Sequence, residues 1–143
     1  MTSRMARIAV LATTLVLAVG ACSSSPSGEE AAGQGSSVRC EDAIAWKDAG
    51  RHVGERANVR GPVVSTHYAA TSNGEPTFLN VGRDYPDEGR FTVVIWGEDR
   101  GNFSASPEDL YDSETVCVTG TIETYQGEPE IVLRSEDDIV VEN

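Results

Sequence analysis

Basic side chains are scarce in this sequence. Its 143 residues include 11 Lys and Arg against 23 Asp and Glu, which gives a formal net charge of −12, and Lys47 is the only lysine. Lys and Arg side chains that neutralise phosphates supply most of the non-specific affinity of proteins for nucleic acids. The charge therefore weighs against a nucleic-acid ligand unless arginines gather in a local strip, and it favours solubility.

Recognisable catalytic and metal-binding motifs are lacking. The sequence has no G-x-S-x-G, H-E-x-x-H, phosphate-binding loop, G-x-G-x-x-G or cysteine pair at metal-site spacing. His52 and His67 are isolated in the sequence, so neither is predicted to be a metal ligand or a general base. Carboxylates in two turns could bind Ca²⁺ through oxygen, but without EF-hand spacing they are interpreted as solvated. These carboxylates are Asp84, Asp87, Glu88, Glu98 and Asp99. We expect no enzyme activity, no metal and no cofactor.

Long hydrophobic runs are absent except near the N-terminus. Arg4 and Arg7 precede an apolar run over residues 8–19, and Gly20 and Ala21 lead into a cysteine. This order of basic, apolar and small segments is typical of a secretory signal peptide. As a helix the run would span only about 18 Å, against a hydrocarbon core of about 30 Å, so a permanent transmembrane helix is not predicted.

The tetrapeptide at residues 19–22, Val-Gly-Ala-Cys, resembles the bacterial lipobox. The resemblance implies that residues 1–21 are a lipoprotein signal peptide and that Cys22 carries a diacylglycerol; the alternative is an ordinary signal peptide with a chance cysteine. Residues 22–37 contain no large apolar side chain and are predicted to be a disordered Ser/Gly-rich tether. We expect a protein anchored by lipid to the cell membrane, on its extracytoplasmic face, with a mature charge of −14.

Residues 38–143 fit one domain of ordinary size. With Cys22 lipidated, the domain keeps Cys40 and Cys117, which are expected to form a disulfide in an oxidising compartment. Cys117 alternates with Val116 and Val118 along a predicted strand, so it faces the opposite side of the sheet from these two valines. Two free thiols are the alternative.

Period-two alternation and turn signals predict an all-β domain of five strands. A short helix is predicted at residues 41–51, and a second helix between the third and fourth strands, with Ser106 as N-cap and Pro107 at its first position. The predicted strands cover residues 56–69, 77–82, 91–96, 115–125 and 130–133, with a further edge strand at 138–142.

The first and fourth predicted strands share the pattern V-x-G-x-aliphatic, at residues 59–63 and 118–122. A glycine inside a strand often marks a bend, although coincidence is an alternative explanation. Five strands, a helix after the third strand and two bent strands together resemble the OB-fold. The runs GPVVSTHYA, GEPTFLNVG, RFTVVIWGEDR and TVCVTGTIETYQGEPEIVL also look like OB-type nucleic-acid-binding domains of small exported bacterial proteins. The resemblance implies a five-stranded barrel.

An OB-fold is expected to bind ligands on the face of its second and third strands, between the loops that join strands one to two and four to five. In the second strand, Leu79 and Val81 suit the interior and leave Phe78 and Asn80 outward. In the third strand, either Phe91, Val93 and Ile95 or the intervening residues face inward. The predicted ligand-binding residues are Tyr68, Phe78, Asn80, Arg90 and Trp96, with Tyr125, Arg83 and Arg100 as further candidates. Alternatively, the aromatic residues fill the core.

The resemblance implies a non-catalytic binding module for single-stranded nucleic acid or another extended polymer. The alternatives are an envelope module that binds a protein partner and an accessory subunit of a secreted hydrolase.

Overall fold

Strands make up most of the regular structure in residues 40–143, the part of the chain that this computed structural model describes. The strands are β1 (Ile44–Ala45), β2 (Arg56–Tyr68), β3 (Thr77–Val81), β4 (Phe91–Ile95), β5 (Thr115–Thr121), β6 (Glu123–Tyr125), β7 (Glu128–Leu133) and β8 (Ile139–Glu142). The helices are short: α1 (Pro107–Leu110) and three 3-10 helices at Trp46–Arg51, Gly97–Asn102 and Glu136–Asp138.

The eight described strands form one sheet in the order β6-β7-β4-β3-β2-β5-β8, with β1 beside β2. The β1–β2 and β4–β7 pairs are parallel, and the other pairs are antiparallel. The all-β class is confirmed. The predicted five-stranded closed barrel is wrong, because the sheet has eight strands and an open path of hydrogen-bonded neighbours.

The predicted fourth strand is divided at Ile122. The backbone N–H of Ile122 donates to Glu55 O (2.9 Å), and its carbonyl accepts from the N–H of Gly54 (2.8 Å). These bonds to the segment before β2 replace the regular ladder at that residue, so the chain continues as two strands, β5 and β6. The predicted edge strand near the C-terminus is present as β8.

Alternation along β3 and β4 defines the core. Leu79 and Val81 are buried as predicted, and they belong to the same hydrophobic cluster as Phe91, Val93 and Ile95. The first of the two alternatives for the third predicted strand is therefore correct for the inward residues, but Thr92 and Val94, which it expected to be exposed, are also buried. The rest of the fully buried cluster comes mainly from β2, β5 and β7: Val59, Val63, Val116, Val118, Ile131 and Leu133, with Ile122 between β5 and β6.

Gly61 and Gly120 lie inside β2 and β5. The first seven residues of β2, Arg56–Pro62, pair with β5, whereas Val63 and the residues after it pair with β3, with a register irregularity between Val63 and Ser65. The strand thus changes partners between Pro62 and Val63, directly after Gly61. The bends predicted at Gly61 and Gly120 stay predictions.

The two predicted helices are shorter than expected. The first is a 3-10 helix over Trp46–Arg51, and the second is the single turn α1, with Pro107 at its start. Ser106 occupies the N-cap position of α1, but its side chain makes no capping hydrogen bond.

Cys40 and Cys117 form a disulfide, with 6.2 Å between their Cα atoms. Cys117 is fully buried in β5. The guanidinium of Arg60 donates to the carbonyl of Cys40 (2.9 Å) and to both carboxylate oxygens of Glu142 (2.5 and 2.7 Å). The disulfide prediction is confirmed, and Cys40 is fixed to β2 as well as to β5.

Candidate binding groove

A groove of about 670 Å³ crosses the face of β3 and β4 that points away from the core. Phe78 and Asn80 of β3 and Thr92 of β4 form its floor. The end of β2 lines one side, and the loop between β3 and β4 and the β6–β7 turn also contribute. The lining residues from these segments are Ser65, Thr66, His67, Asp84, Tyr85, Arg90, Tyr125, Gln126, Glu128 and Glu130, with Ala69 and Ser72 from the β2–β3 loop.

A chain of hydrogen bonds connects the floor to the loop between β3 and β4. The Asn80 side-chain amide donates to Ser65 Oγ (2.9 Å), and Ser65 Oγ donates to a carboxylate oxygen of Asp84 (2.5 Å). The same oxygen accepts the backbone N–H of Tyr85 (2.7 Å). Asn80 is only 5 % exposed, so these bonds satisfy a buried amide and hold the Asp84 carboxylate at the edge of the groove.

Aromatic rings occupy the floor and the rims. Phe78 is half-buried in the floor, whereas Tyr85 in the β3–β4 loop and Tyr125 at the end of β6 are 70 % and 61 % exposed. The Arg90 guanidinium lies 5.3 Å from the centre of the Tyr85 ring and donates to the carbonyl of Asp87 (2.9 Å). Large exposed tyrosines on both rims give the groove apolar surface that the core does not use.

Three carboxylates of the described residues line the groove: Asp84, Glu128 and Glu130. Glu128 accepts the backbone N–H of Gly89 (2.8 Å), which links the β6–β7 hairpin to the loop between β3 and β4. Burial raises the pKa of Glu130, and the Glu123 carboxylate directly opposite on β6 adds to that increase. Within residues 40–143, no salt bridge reaches any of the three carboxylates.

The structure brings three of the five predicted ligand-binding residues together: Phe78, Asn80 and Arg90. Tyr68 and Trp96 lie outside the groove lining. The Tyr68 hydroxyl donates to Glu75 (3.0 Å), and its ring stacks under the guanidinium of Arg100, 3.7 Å from the ring centre.

Two further candidates, Arg83 and Arg100, donate within the protein. Arg100 forms a bidentate pair with Glu108 (2.7 and 3.0 Å) and also donates to Thr77. These bonds to Arg100 are the main reason that the pKa of Glu108 is lowered. Arg83 donates to the carbonyl of Glu88 (2.9 Å). Among residues 40–143, Arg90 is therefore the one arginine that lines the groove.

Sequence reasoning missed Tyr85, Glu128 and Glu130 and treated Asp84 as a solvated turn residue. The signal that could have found Tyr85 is a tyrosine in a polar turn, where no core is available to bury it. No sequence signal marks Glu128 and Glu130, because their place in the groove depends on how the β6–β7 hairpin packs beside β4.

Among residues 40–143, no group of three or more His, Cys, Asp and Glu side chains is arranged to hold a metal ion. In the same part of the chain, no helix combines the length and the apolar character needed to cross a membrane.

No protein-family model and no curated protein matches this sequence. Among solved structures, a candidate aspartyl-tRNA synthetase from Leishmania major is similar over 76 % of this chain, with 15 % identity and a TM-score of 0.46; the chain spans only 22 % of that protein. A candidate nucleic acid-binding lipoprotein from Klebsiella pneumoniae is 16 % identical over 68 % of this chain and 78 % of its own, with a TM-score of 0.42. The hypothetical protein YgiW of E. coli is 15 % identical over 73 % of this chain and 94 % of its own, also with a TM-score of 0.42.

Proposed function

We propose that this chain is a non-catalytic binding protein that holds an extended ligand in the groove across β3 and β4. The observation that carries the proposal is the pair of exposed tyrosines, Tyr85 in the β3–β4 loop and Tyr125 at the end of β6, beside the half-buried Phe78. Exposed aromatic side chains around one concave surface are typical of recognition sites. The groove volume, about 670 Å³, lies in the range that ligand sites occupy.

The strand pairing supports an OB-type use of this surface. β2, β3 and β4 form an antiparallel meander, and β4 pairs with β7 in parallel on its other edge. The groove lies on the outer face of β3 and β4, and the β2–β3 loop and the β6–β7 turn both contribute to it. OB-folds bind oligonucleotides and oligosaccharides on the corresponding face, between the corresponding loops.

Single-stranded nucleic acid is the ligand class implied by the sequence resemblance, and the aromatic rings of the groove are suited to stacking on bases. A segment of an envelope protein is the competing class. The same exposed rings would serve either ligand, so substitution of a ring tests the groove without choosing between them.

Tyr125→Ala is expected to weaken ligand binding about tenfold, because loss of one stacking ring costs roughly 1–3 kcal/mol. The measurement is fluorescence anisotropy of the purified full-length protein with three labelled probes at low salt: oligothymidylate, a chito-oligosaccharide and oligolysine. Trp96→Ala is the matched control, since Trp96 is also exposed (39 %) but lies outside the groove lining. An equal effect of both substitutions, or no binding of any probe, would contradict the proposal.

We also propose that Cys22 is lipidated and that the domain lies on the extracytoplasmic face of the membrane. Cys22 and the predicted tether lie outside the described residues, so the lipobox-like sequence carries this proposal. The Cys40–Cys117 disulfide supports it, because such bonds are rare in the reducing cytosol.

Metabolic labelling with a palmitate analogue is expected to mark the protein, and Cys22→Ser is expected to abolish the label. Cys40→Ser is the control that removes a different cysteine and should keep the label. Equal labelling of the Cys22→Ser protein and the unchanged protein would refute lipidation at this residue.

A further inference from the structure

We infer that the groove binds a positively charged segment of a polypeptide, in which Lys or Arg side chains reach Glu128 and Glu130 while their stems lie against the rims. The inference rests on the proposed function and names the ligand class of the same site. Its basis is the charge and the aromatic character of the groove lining.

Charge complementarity gives the first argument. In the described part of the chain, three carboxylates line the groove against one arginine, and Arg90 is already placed over Tyr85 and bonded to the carbonyl of Asp87. No salt bridge among residues 40–143 engages Asp84, Glu128 or Glu130. Asp84 accepts hydrogen bonds from Ser65 and Tyr85, and Glu128 accepts one from Gly89, but none of these donors carries a charge. A phosphate backbone would meet like charge here, which costs several kcal/mol at an interface.

The β6–β7 hairpin gives the second argument. Glu123 and Glu130 are directly opposite in the register of the two strands, and like charges in this position destabilise a sheet. Glu130 is half-buried, and the raised pKa of its carboxyl reflects both burial and the neighbouring Glu123. A bound ammonium or guanidinium group would reduce both penalties, whereas a neutral hydrogen-bond donor would offset only the burial and an anionic ligand would increase the repulsion.

The aromatic rings explain why a polypeptide is favoured over a small cation. Lys and Arg side chains place an apolar stem on apolar surface while the charged head stays at a polar site, and their heads also bind the faces of tyrosines. Tyr125 is directly opposite Glu128 in the hairpin register, so a ring and a carboxylate lie next to each other. Arg90 over the Tyr85 ring is an example of the same contact within the chain.

The experiment compares two double variants that each remove two negative charges. Glu128→Gln with Glu130→Gln alters the groove, and Glu114→Gln with Asp137→Asn removes two exposed carboxylates outside the groove lining. Labelled oligolysine is titrated into each purified full-length protein at low and moderate salt. We expect the groove variant to weaken binding about tenfold or more and the control variant to change it by less than about twofold, because screened charges outside the contact contribute little.

The remaining outcomes would all count against the inference, and one of them would also count against the proposed function. Equal weakening in both variants would overturn the inference, since attraction would then depend on net charge alone. Spermidine that competes as well as oligolysine would overturn the assignment to a polypeptide. Binding of oligothymidylate or the chito-oligosaccharide without oligolysine would refute the inference and leave the proposed groove standing. No binding of any probe would refute both.

Thermal unfolding of the groove variant shows whether it remains folded, and thermal unfolding of Glu130→Gln alone tests the penalty assigned to this residue. Because the pKa of Glu130 is raised in the folded state, its ionised form destabilises the fold, and this penalty appears as pH rises through that pKa. Glu130→Gln alone is therefore expected to raise the unfolding temperature at neutral pH and to lose this advantage in acid. A lower unfolding temperature at neutral pH would contradict the role given to the Glu123–Glu130 pair.

Discussion

Replacing Cys40 and Cys117 together with alanine is expected to lower the free energy of unfolding by about 4 kcal/mol in the chain-entropy view of disulfides. The two residues are 77 positions apart, so the bond restricts most of the unfolded domain. For a domain of about 100 residues, this loss corresponds to a decrease of about 15 °C or more in unfolding temperature. Denaturant unfolding without reductant, followed by far-UV circular dichroism, measures the effect.

Cys22→Ser is the control for this prediction, because it removes the cysteine that takes no part in the disulfide. Its free energy of unfolding should equal that of the unchanged protein, and reductant should lower the stability of both to that of the double alanine variant. A loss below about 1 kcal/mol would contradict the prediction, because it would mean that the bond removes little conformational freedom from the unfolded chain.

The central strands were predicted well because alternation of apolar and polar residues depends only on neighbouring positions in the chain. Alternation of Leu79 and Val81 with Phe78 and Asn80 decided which face of β3 would be buried, and the structure agrees. The same reasoning left β4 open, because all five of its residues are buried and a strand covered on both faces has no clear period of two.

The division at Ile122 could not be predicted from alternation. Its cause is a pair of backbone hydrogen bonds to Gly54 and Glu55, which are more than sixty residues earlier in the chain. Such bonds depend on the finished packing and leave no periodic signal. The strand number was therefore wrong although most strand positions were right.

The candidate site was only partly predictable for a related reason. Phe78 and Asn80 lie on a strand, where the pleat fixes side-chain direction, and both line the groove. Arg90 also lines it. Arg100 was an equally reasonable candidate in sequence, but the turn after the second 3-10 helix brings Glu108 within 2.7 Å of its guanidinium, and that pairing removes it from ligand contact.

Gly61→Ala is expected to lower the free energy of unfolding by about 2 kcal/mol, in the range observed when an extra carbon is forced into a packed core. A Cβ atom on Gly61 would lie 2.5 Å from Cδ1 of Trp46 and 2.5 Å from Cγ1 of Val81. Val81 is fully buried between β2 and β4, so it cannot move without disturbing its neighbours. Denaturant unfolding at neutral pH, followed by far-UV circular dichroism, measures the loss.

Gly50→Ala is the matched control, since a Cβ on Gly50 would meet nothing within 4 Å and its backbone does not require a positive φ. Its effect should be small, with a slight gain in stability from the less flexible unfolded chain. Equal stability of the two variants would contradict the prediction, because both Trp46 and Val81 would then have to shift at little cost. A clear loss in Gly61→Ala alone would instead show that the close packing of Trp46 and Val81 on Gly61 is needed to hold β2 at this point.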